Sequence, residues 1–166
     1  MEYAVFFHDP AEVVPRCRLG FREWVLVLMN AHKIRIRGQL VHFVAAKRLR
    51  SADAQIKLVD NQTLKELGFD GLSAASISGP RPREIMINRQ NFLAPPKHWG
   101  NPHAYREYVV AHEILHSMNA HHLKAERGAP CPLMFAQTDF DAVQSAGCRI
   151  SGRVSQADLD ELDRHC

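Results

Sequence analysis

Residues 112–122, HEILHSMNAHH, constrain this chain more than any other stretch. His112 and His116 are four residues apart, so an α-helix places both imidazoles on one face, one turn apart. Two imidazole nitrogens on one helical face can bind a single zinc ion, with Glu113 beside it. The pattern therefore predicts a helix here and a metal site on that helix.

A third histidine extends the pattern to H-E-x-x-H-x-x-N-x-x-H. His122 stands six residues after His116, and a straight helix would carry it away from the other two rings. The chain must therefore bend after Met118. Asn119 suits the bend, because asparagine tolerates the left-handed backbone conformation that ends helices. A random chain of this composition is expected to contain the full pattern only roughly 0.002 times.

Other side chains compete for the third ligand position. His121 is one residue nearer to His116 and becomes the ligand if the bend is tighter. Some zinc enzymes use a carboxylate as third ligand, which makes Glu126 and Glu161 further alternatives. The remaining histidines have no spacing that indicates a site, and we expect structural or solvated roles for His8, His32, His42, His98, His103 and His165.

The segment resembles the motif of the metzincin zinc peptidases, H-E-x-x-H-x-x-G-x-x-H followed by a methionine-bearing turn. The resemblance implies a general base, Glu113, and three zinc ligands, which are His112, His116 and His122. Asn119 occupies the glycine position. Met134, in the segment CPLM, is identified as the residue of the methionine turn, with an ordinary core position as the alternative.

The function that this resemblance implies is a zinc-dependent endopeptidase. Glu113 would accept a proton from a zinc-activated water and deliver it to the leaving amine. The substrate would be a protein or peptide, extended along an edge strand at residues 71–77 or 84–88. Two hypotheses stay open beside it: a non-catalytic zinc-binding interaction module, and a peptidase that acts on nucleic-acid-associated proteins.

The chain departs from the known metzincin subfamilies at three points. Leu123 follows the third histidine, where several groups carry a characteristic polar residue. Phe135 and Ala136 follow Met134, so the tyrosine found there in some members is missing. The C-x-x-C pattern of the archaemetzincin type is also missing. The sequence therefore assigns no subfamily.

Apolar periodicity predicts an α+β fold. Short apolar runs predict strands at residues 4–8, 40–45, 54–59, 71–79 and 84–88, and a helical spacing predicts a helix at 19–32. Asn101 and Pro102 predict the start of the motif helix, which should end near Met118. A capping box at Ser155 predicts a final helix at 156–164. With 166 residues, the chain fits one metzincin-like catalytic domain at 1–166, with a mixed twisted sheet.

The charge distribution suggests a second surface. Residues 24–52 carry no acidic side chain. Their six lysines and arginines are Lys33, Arg35, Arg37, Lys47, Arg48 and Arg50. This segment is either an ordinary solvated face or a surface for nucleic acid or an acidic partner. We therefore keep nucleic acid as a secondary partner hypothesis.

Cysteine content and apolar runs bear on the compartment. Four cysteines without a C-x-x-C pair argue against a disulfide scaffold and a separate structural zinc site. Cys131 and Cys148 either pair or lie in the core, and Cys17 is expected to be inert. No apolar run approaches the roughly 18 residues that span a bilayer, and no secretory signal is seen. We expect a monomer without a membrane partner in the cytoplasm, with a mature secreted form as the alternative.

Overall fold

The computed structural model describes residues 1–9, 12, 14–15, 17–70, 72–75 and 79–152. The predicted final helix at 156–164 lies outside these residues. So do Glu161, one alternative third ligand, and His165.

Seven strands and five helices make up the described part of the chain. The strands are β1 (Glu2–Phe7), β2 (Arg35–Ile36), β3 (Gln39–Leu40), β4 (His42–Ala45), β5 (Ala54–Val59), β6 (Ala74–Ala75) and β7 (Arg83–Asn88). The helices are α1 (Phe21–Ala31), α2 (Asn61–Glu66), α3 (Arg89–Leu93), α4 (Pro102–Ser117) and α5 (Phe140–Ala146). Two single 3₁₀ turns lie at Leu49–Ser51 and Lys97–Trp99.

A five-stranded sheet in the order β4-β1-β5-β7-β6 forms the centre of the fold. Four of its strands run parallel, and β6 pairs antiparallel with β7. Along β5 the side chains of Ala54, Ile56 and Leu58 are buried while those between them are half-buried, as expected of a strand with one face in the core and the other partly open to solvent. The mixed α/β architecture agrees with the expected α+β class.

The strand pairing corrects one expectation about the sheet edges. Residues 84–88 form a strand as predicted, but β7 lies between β5 and β6 and is hydrogen-bonded on both sides. It therefore cannot receive an extended substrate as an edge strand. Of the two predicted segments, only the one at residues 71–77 contributes to an edge, through β6.

Several short elements were not predicted. The hairpin of β2 and β3 turns at Arg37 and Gly38, both of which have positive φ. Helices α2, α3 and α5 each begin at a side chain that accepts a hydrogen bond from the first turn, namely Asp60, Asn88 and Asp139. These residues are typical helix N-caps, so the signal was present in the sequence although the helices are only five to seven residues long.

Helix α4 is the central helix of the fold and packs against β6, β7 and α1. Every residue from Tyr105 to Ser117 except Glu107 is buried. Buried aliphatic side chains such as Ile114 and Leu115 hold it in the main core. None of the helices in the described ranges is long and apolar enough to cross a membrane.

The C-terminal end of α4 is fastened to the sheet by polar contacts. The hydroxyl of Tyr3 in β1 lies 3.0 Å from the Ser117 carbonyl oxygen and 2.9 Å from Ser117 Oγ. Arg83 in β7 donates from Nη1 to the same carbonyl oxygen at 2.6 Å. Burial raises the pKa of Tyr3 to about 12, so the hydroxyl stays protonated and able to donate. The helix that carries the motif is therefore held at a fixed position on the sheet.

We expect Tyr3→Phe to lower the free energy of unfolding by about 1 kcal/mol, the usual contribution of a buried hydrogen bond. The edge-on contact of the ring with Phe43 should survive the substitution. Urea denaturation of both proteins measures the difference. Equal stability would show that these contacts do not stabilise the helix end.

Candidate metal centre

The motif helix begins as the sequence predicts. The side chain of Asn101 accepts hydrogen bonds from the backbone N–H groups of His103 and Ala104, at 2.9 and 3.3 Å. Pro102 occupies the first helical position, where its missing N–H costs nothing. About three turns later the helix reaches His112, where the buried motif begins.

The motif helix also ends as predicted. Asn119 has a φ of 76°, in the left-handed region. Its N–H donates to the His116 carbonyl oxygen at 3.0 Å, and the N–H of Ala120 donates to the Leu115 carbonyl oxygen at 3.1 Å. This pair of bonds is the Schellman arrangement that stops a helix and reverses the chain. The reversal brings His122 back toward the helix.

Three imidazole rings converge after this reversal. The Nε2 atoms of His112 and His116 are 3.0 Å apart, and they lie 3.2 and 3.1 Å from Nε2 of His122. Two nitrogen ligands of a tetrahedral zinc ion are separated by about 3.3 Å. Among the described residues, these three form the one group of histidine, cysteine and acidic side chains able to hold a metal ion. His121 and Glu126 are outside it.

Backbone carbonyl groups fix the orientation of two of the rings. Nδ1 of His112 donates to the Leu133 carbonyl oxygen at 2.7 Å, and Nδ1 of His116 donates to the Ala120 carbonyl oxygen at 2.8 Å. In a neutral ring the proton then resides on Nδ1, so Nε2 carries a lone pair. Two lone pairs facing each other at 3.0 Å cannot form a hydrogen bond, whereas a cation placed among the rings would satisfy both. The donor set therefore fits a metal ion.

Burial keeps the three rings in the form that binds metals. It lowers the pKa of His112 well below its ordinary value, and the neighbouring His116 lowers it further. Burial likewise lowers the pKa of His116 to about 4. The pKa of His122 is lowered by partial desolvation and by the adjacent His121. Neutral imidazoles are the ligand form, so no proton has to be displaced near neutral pH.

Glu113 is buried beside the three rings, with 5% of its surface exposed. Burial raises the pKa of its carboxyl group to about 8. No hydrogen bond joins that group to the described part of the chain. A cation at the three histidines would oppose the shift by stabilising the carboxylate. A carboxyl group with a pKa near neutrality suits a general acid or base.

A cleft of about 440 Å³ opens over the rings and Glu113. One wall is the edge strand β6, with Ala74 and Ala75, and another is formed by Ala136 and Thr138. The cleft thus joins the candidate metal centre to a strand whose outer side has no partner in the described sheet.

A loop that follows the third histidine packs against the motif helix and the ring of His112. Cys131 and Cys148 form a disulfide bond, which settles the alternative left open by the sequence. A tight turn follows, in which the N–H of Phe135 donates to the Pro132 carbonyl oxygen at 3.0 Å. Met134 in this turn is fully buried, and its carbonyl oxygen accepts from the N–H of Leu123 at 3.0 Å.

Sequence reasoning did not find the groups that orient the rings. Leu133 and Ala120 act through their carbonyl oxygens, which every residue type has, so composition and spacing carry no signal for them. Gln137 is also buried in this loop, and no motif contains it.

The basic segment lies elsewhere on the fold. Its six side chains are all exposed. Lys33 and Arg35 line a groove beside β4, which is the sheet edge opposite to β6. The nucleic-acid hypothesis therefore concerns a surface separate from the cleft, and it stays a prediction.

We expect Asn119→Val to be less stable than Asn119→Gly by about 1–2 kcal/mol, because a β-branched side chain is strained at positive φ. The valine variant should also bind zinc more weakly, since the Ala120 carbonyl group that orients His116 would shift. Denaturant unfolding and zinc titration against a chelator measure the two effects. Equal behaviour of the two variants would contradict the role assigned to this turn.

Comparisons with known proteins bear on the family and the fold. The family described as "Protein of unknown function (DUF3152)" matches residues 25–158. No curated protein matches the sequence significantly.

Two solved structures are similar in fold. A chain of the ECX AB5 holotoxin in its GM1-bound form is 11% identical, with a TM-score of 0.55 over 98% of this chain and 78% of that chain. Archaemetzincin from Methanopyrus kandleri is 16% identical, with a TM-score of 0.53 over 99% of this chain and 94% of that chain. At these identities the likeness concerns the fold alone.

Proposed function

Because the chain belongs to the DUF3152 family, whose description names no activity, we propose a function from the site itself: the protein is a zinc-dependent endopeptidase. The observation that carries the proposal is the convergence of three Nε2 atoms within 3.2 Å of one another, beside a buried glutamate, on the wall of an open cleft. The fold shared with archaemetzincin supports it.

In this proposal His112, His116 and His122 hold the zinc ion. Three neutral imidazoles would leave the charge of a bound zinc ion undiminished, and such an ion would lower the pKa of a water molecule to about 7 and polarise a carbonyl group. The carbonyl groups of Leu133 and Ala120 keep two of the rings in place by accepting from Nδ1. Such partners raise the basicity of the ligands and fix their direction.

Glu113 acts as the general base and then as the general acid. Its carboxyl group lines the cleft beside the ligands and has no hydrogen-bond partner among the described residues. It is therefore available to accept a proton from the attacking water and to deliver that proton to the leaving amine. Burial raises the pKa of this carboxyl group, and a cation held by the three histidines would lower it again and so favour the carboxylate that accepts the proton.

The substrate lies extended along β6. This strand borders the cleft and forms the edge of the sheet. A peptide can add to such an edge through backbone hydrogen bonds, which accept many sequences. The scissile bond would then lie beside Glu113.

The turn at residues 132–135 supports the metzincin interpretation. Met134 is fully buried in it, twelve residues after His122, and lies in the same core cluster as α4. We interpret this turn as the counterpart of the methionine turn of metzincins, with Asn119 in place of their glycine.

Glu113→Gln should retain one zinc ion per chain and lose peptide hydrolysis, because the amide can neither accept nor deliver the proton. Elemental analysis measures the zinc, and digestion of an unfolded protein with and without a chelator measures the activity. Glu107→Gln is the matched control, since Glu107 is exposed on the same helix and its loss should change neither quantity.

The same experiment separates the alternatives. Zinc binding without chelator-sensitive hydrolysis in the unmodified protein would favour a non-catalytic zinc-binding module. Hydrolysis that persists in Glu113→Gln would remove the general-base assignment.

Ala75→Phe should lower kcat/KM for peptides and leave the zinc content unchanged, because the added phenyl ring would fill the cleft beside β6. Ala45→Phe is the control, since Ala45 is exposed at the opposite sheet edge in β4. Equal kcat/KM for both variants would show that the substrate does not lie along β6.

A further inference from the structure

Gln137 is a fully buried amide in the loop beneath the metal centre. Its Nε2 donates to the Pro132 carbonyl oxygen at 2.9 Å. Its Oε1 accepts from the N–H of Ser151 at 2.8 Å. The side chain therefore connects the start of the turn at 132–135 to the segment that follows the disulfide.

The backbone of Gln137 is hydrogen-bonded as well. Its N–H donates to the hydroxyl oxygen of Tyr108 on α4 at 2.9 Å, and its carbonyl oxygen lies 3.2 Å from Nε2 of His98. The same tyrosine hydroxyl donates to the Phe135 carbonyl oxygen at 3.0 Å. One residue thus links the turn to the motif helix and to two further segments.

The segment at Ser151 is itself held against α4. A Cβ atom on Gly152 would lie 2.9 Å from the Ala104 carbonyl oxygen, so the chain passes the helix at a distance that only glycine permits. Ser151, which donates to the Gln137 side chain, is therefore held in place against α4. Movement of the turn relative to α4 must break or stretch the bonds of Gln137.

The turn matters because Leu133 is next to Pro132. The Leu133 carbonyl oxygen accepts from Nδ1 of His112 at 2.7 Å and so sets the direction of the first ligand. The disulfide holds the chain at Cys131, one residue before the turn. A shift of the Pro132 carbonyl group about that point would still move Leu133 and the acceptor on it, and the amide of Gln137 opposes this shift by binding the Pro132 carbonyl group.

We propose that Gln137 is a positioning residue for the metal centre, which acts on His112 through Pro132 and Leu133. The inference rests on the proposed zinc site. Partners of metal-binding histidines beyond the ligands themselves commonly change metal affinity by about 10- to 100-fold when they are lost. A merely structural role would lower the stability of the whole protein and leave the affinity of the folded protein unchanged.

The test compares three variants of the full chain in zinc and cobalt(II) titrations. Gln137→Met keeps the approximate size of the side chain and removes both hydrogen bonds. Gln137→Glu replaces the single donor group and can still accept from Ser151. Asn30→Ala is the control, because it removes side-chain hydrogen bonds that join α1 to Phe43 in β4, at the sheet edge opposite to the cleft.

We expect Gln137→Met to lower zinc affinity by about tenfold or more and to alter the visible spectrum of the cobalt(II) protein. Asn30→Ala should change neither. If Gln137→Met does not fold, the affinity of Gln137→Glu decides. Unchanged zinc affinity and an unchanged cobalt spectrum in the folded variants would overturn this inference and leave the proposed function untouched. An unmodified protein that binds no zinc would overturn the proposed function as well.

Discussion

The reversal of the chain after helix α4 is the constraint on which the site depends. Two imidazoles on one face of the helix can bind the same metal ion. A third ring can join them only if the helix stops within one turn of His116. The left-handed conformation of Asn119 and the hydrogen bonds from Asn119 and Ala120 to the last turn achieve this stop. The same reversal directs the Ala120 carbonyl group at Nδ1 of His116. One local feature therefore brings in the third ring and orients the second.

A loop that is distant from the motif helix in sequence also orients one of the three rings. The loop that begins at the Cys131–Cys148 disulfide returns beneath the helix and presents the Leu133 carbonyl group to His112. The Met134 carbonyl group of this loop also accepts the N–H of Leu123, the residue after His122. The rings of His112 and His116 are thus oriented by backbone groups whose positions are set by buried contacts. Partners of this kind fix the direction of metal-binding histidines and raise their basicity.

The site was more predictable from the sequence than the fold around it. Helix α4, its cap at Asn101 and the turn at Asn119 depend on local rules of spacing and backbone conformation, and all three are confirmed. The edge assignment of residues 84–88 was wrong because strand order depends on pairing between distant segments. The role of Gln137 could not be predicted, because its amide contacts Pro132 and Ser151 only in the folded chain.

The proposed function requires that the Nε2 atoms of His112, His116 and His122 bind zinc. X-ray absorption spectroscopy at the zinc edge of the purified protein tests it most directly. We predict a first shell of three imidazole nitrogens and one further light atom at about 2.0–2.1 Å, without sulfur. A zinc–sulfur distance of about 2.3 Å, or a protein that takes up no zinc, would contradict the account.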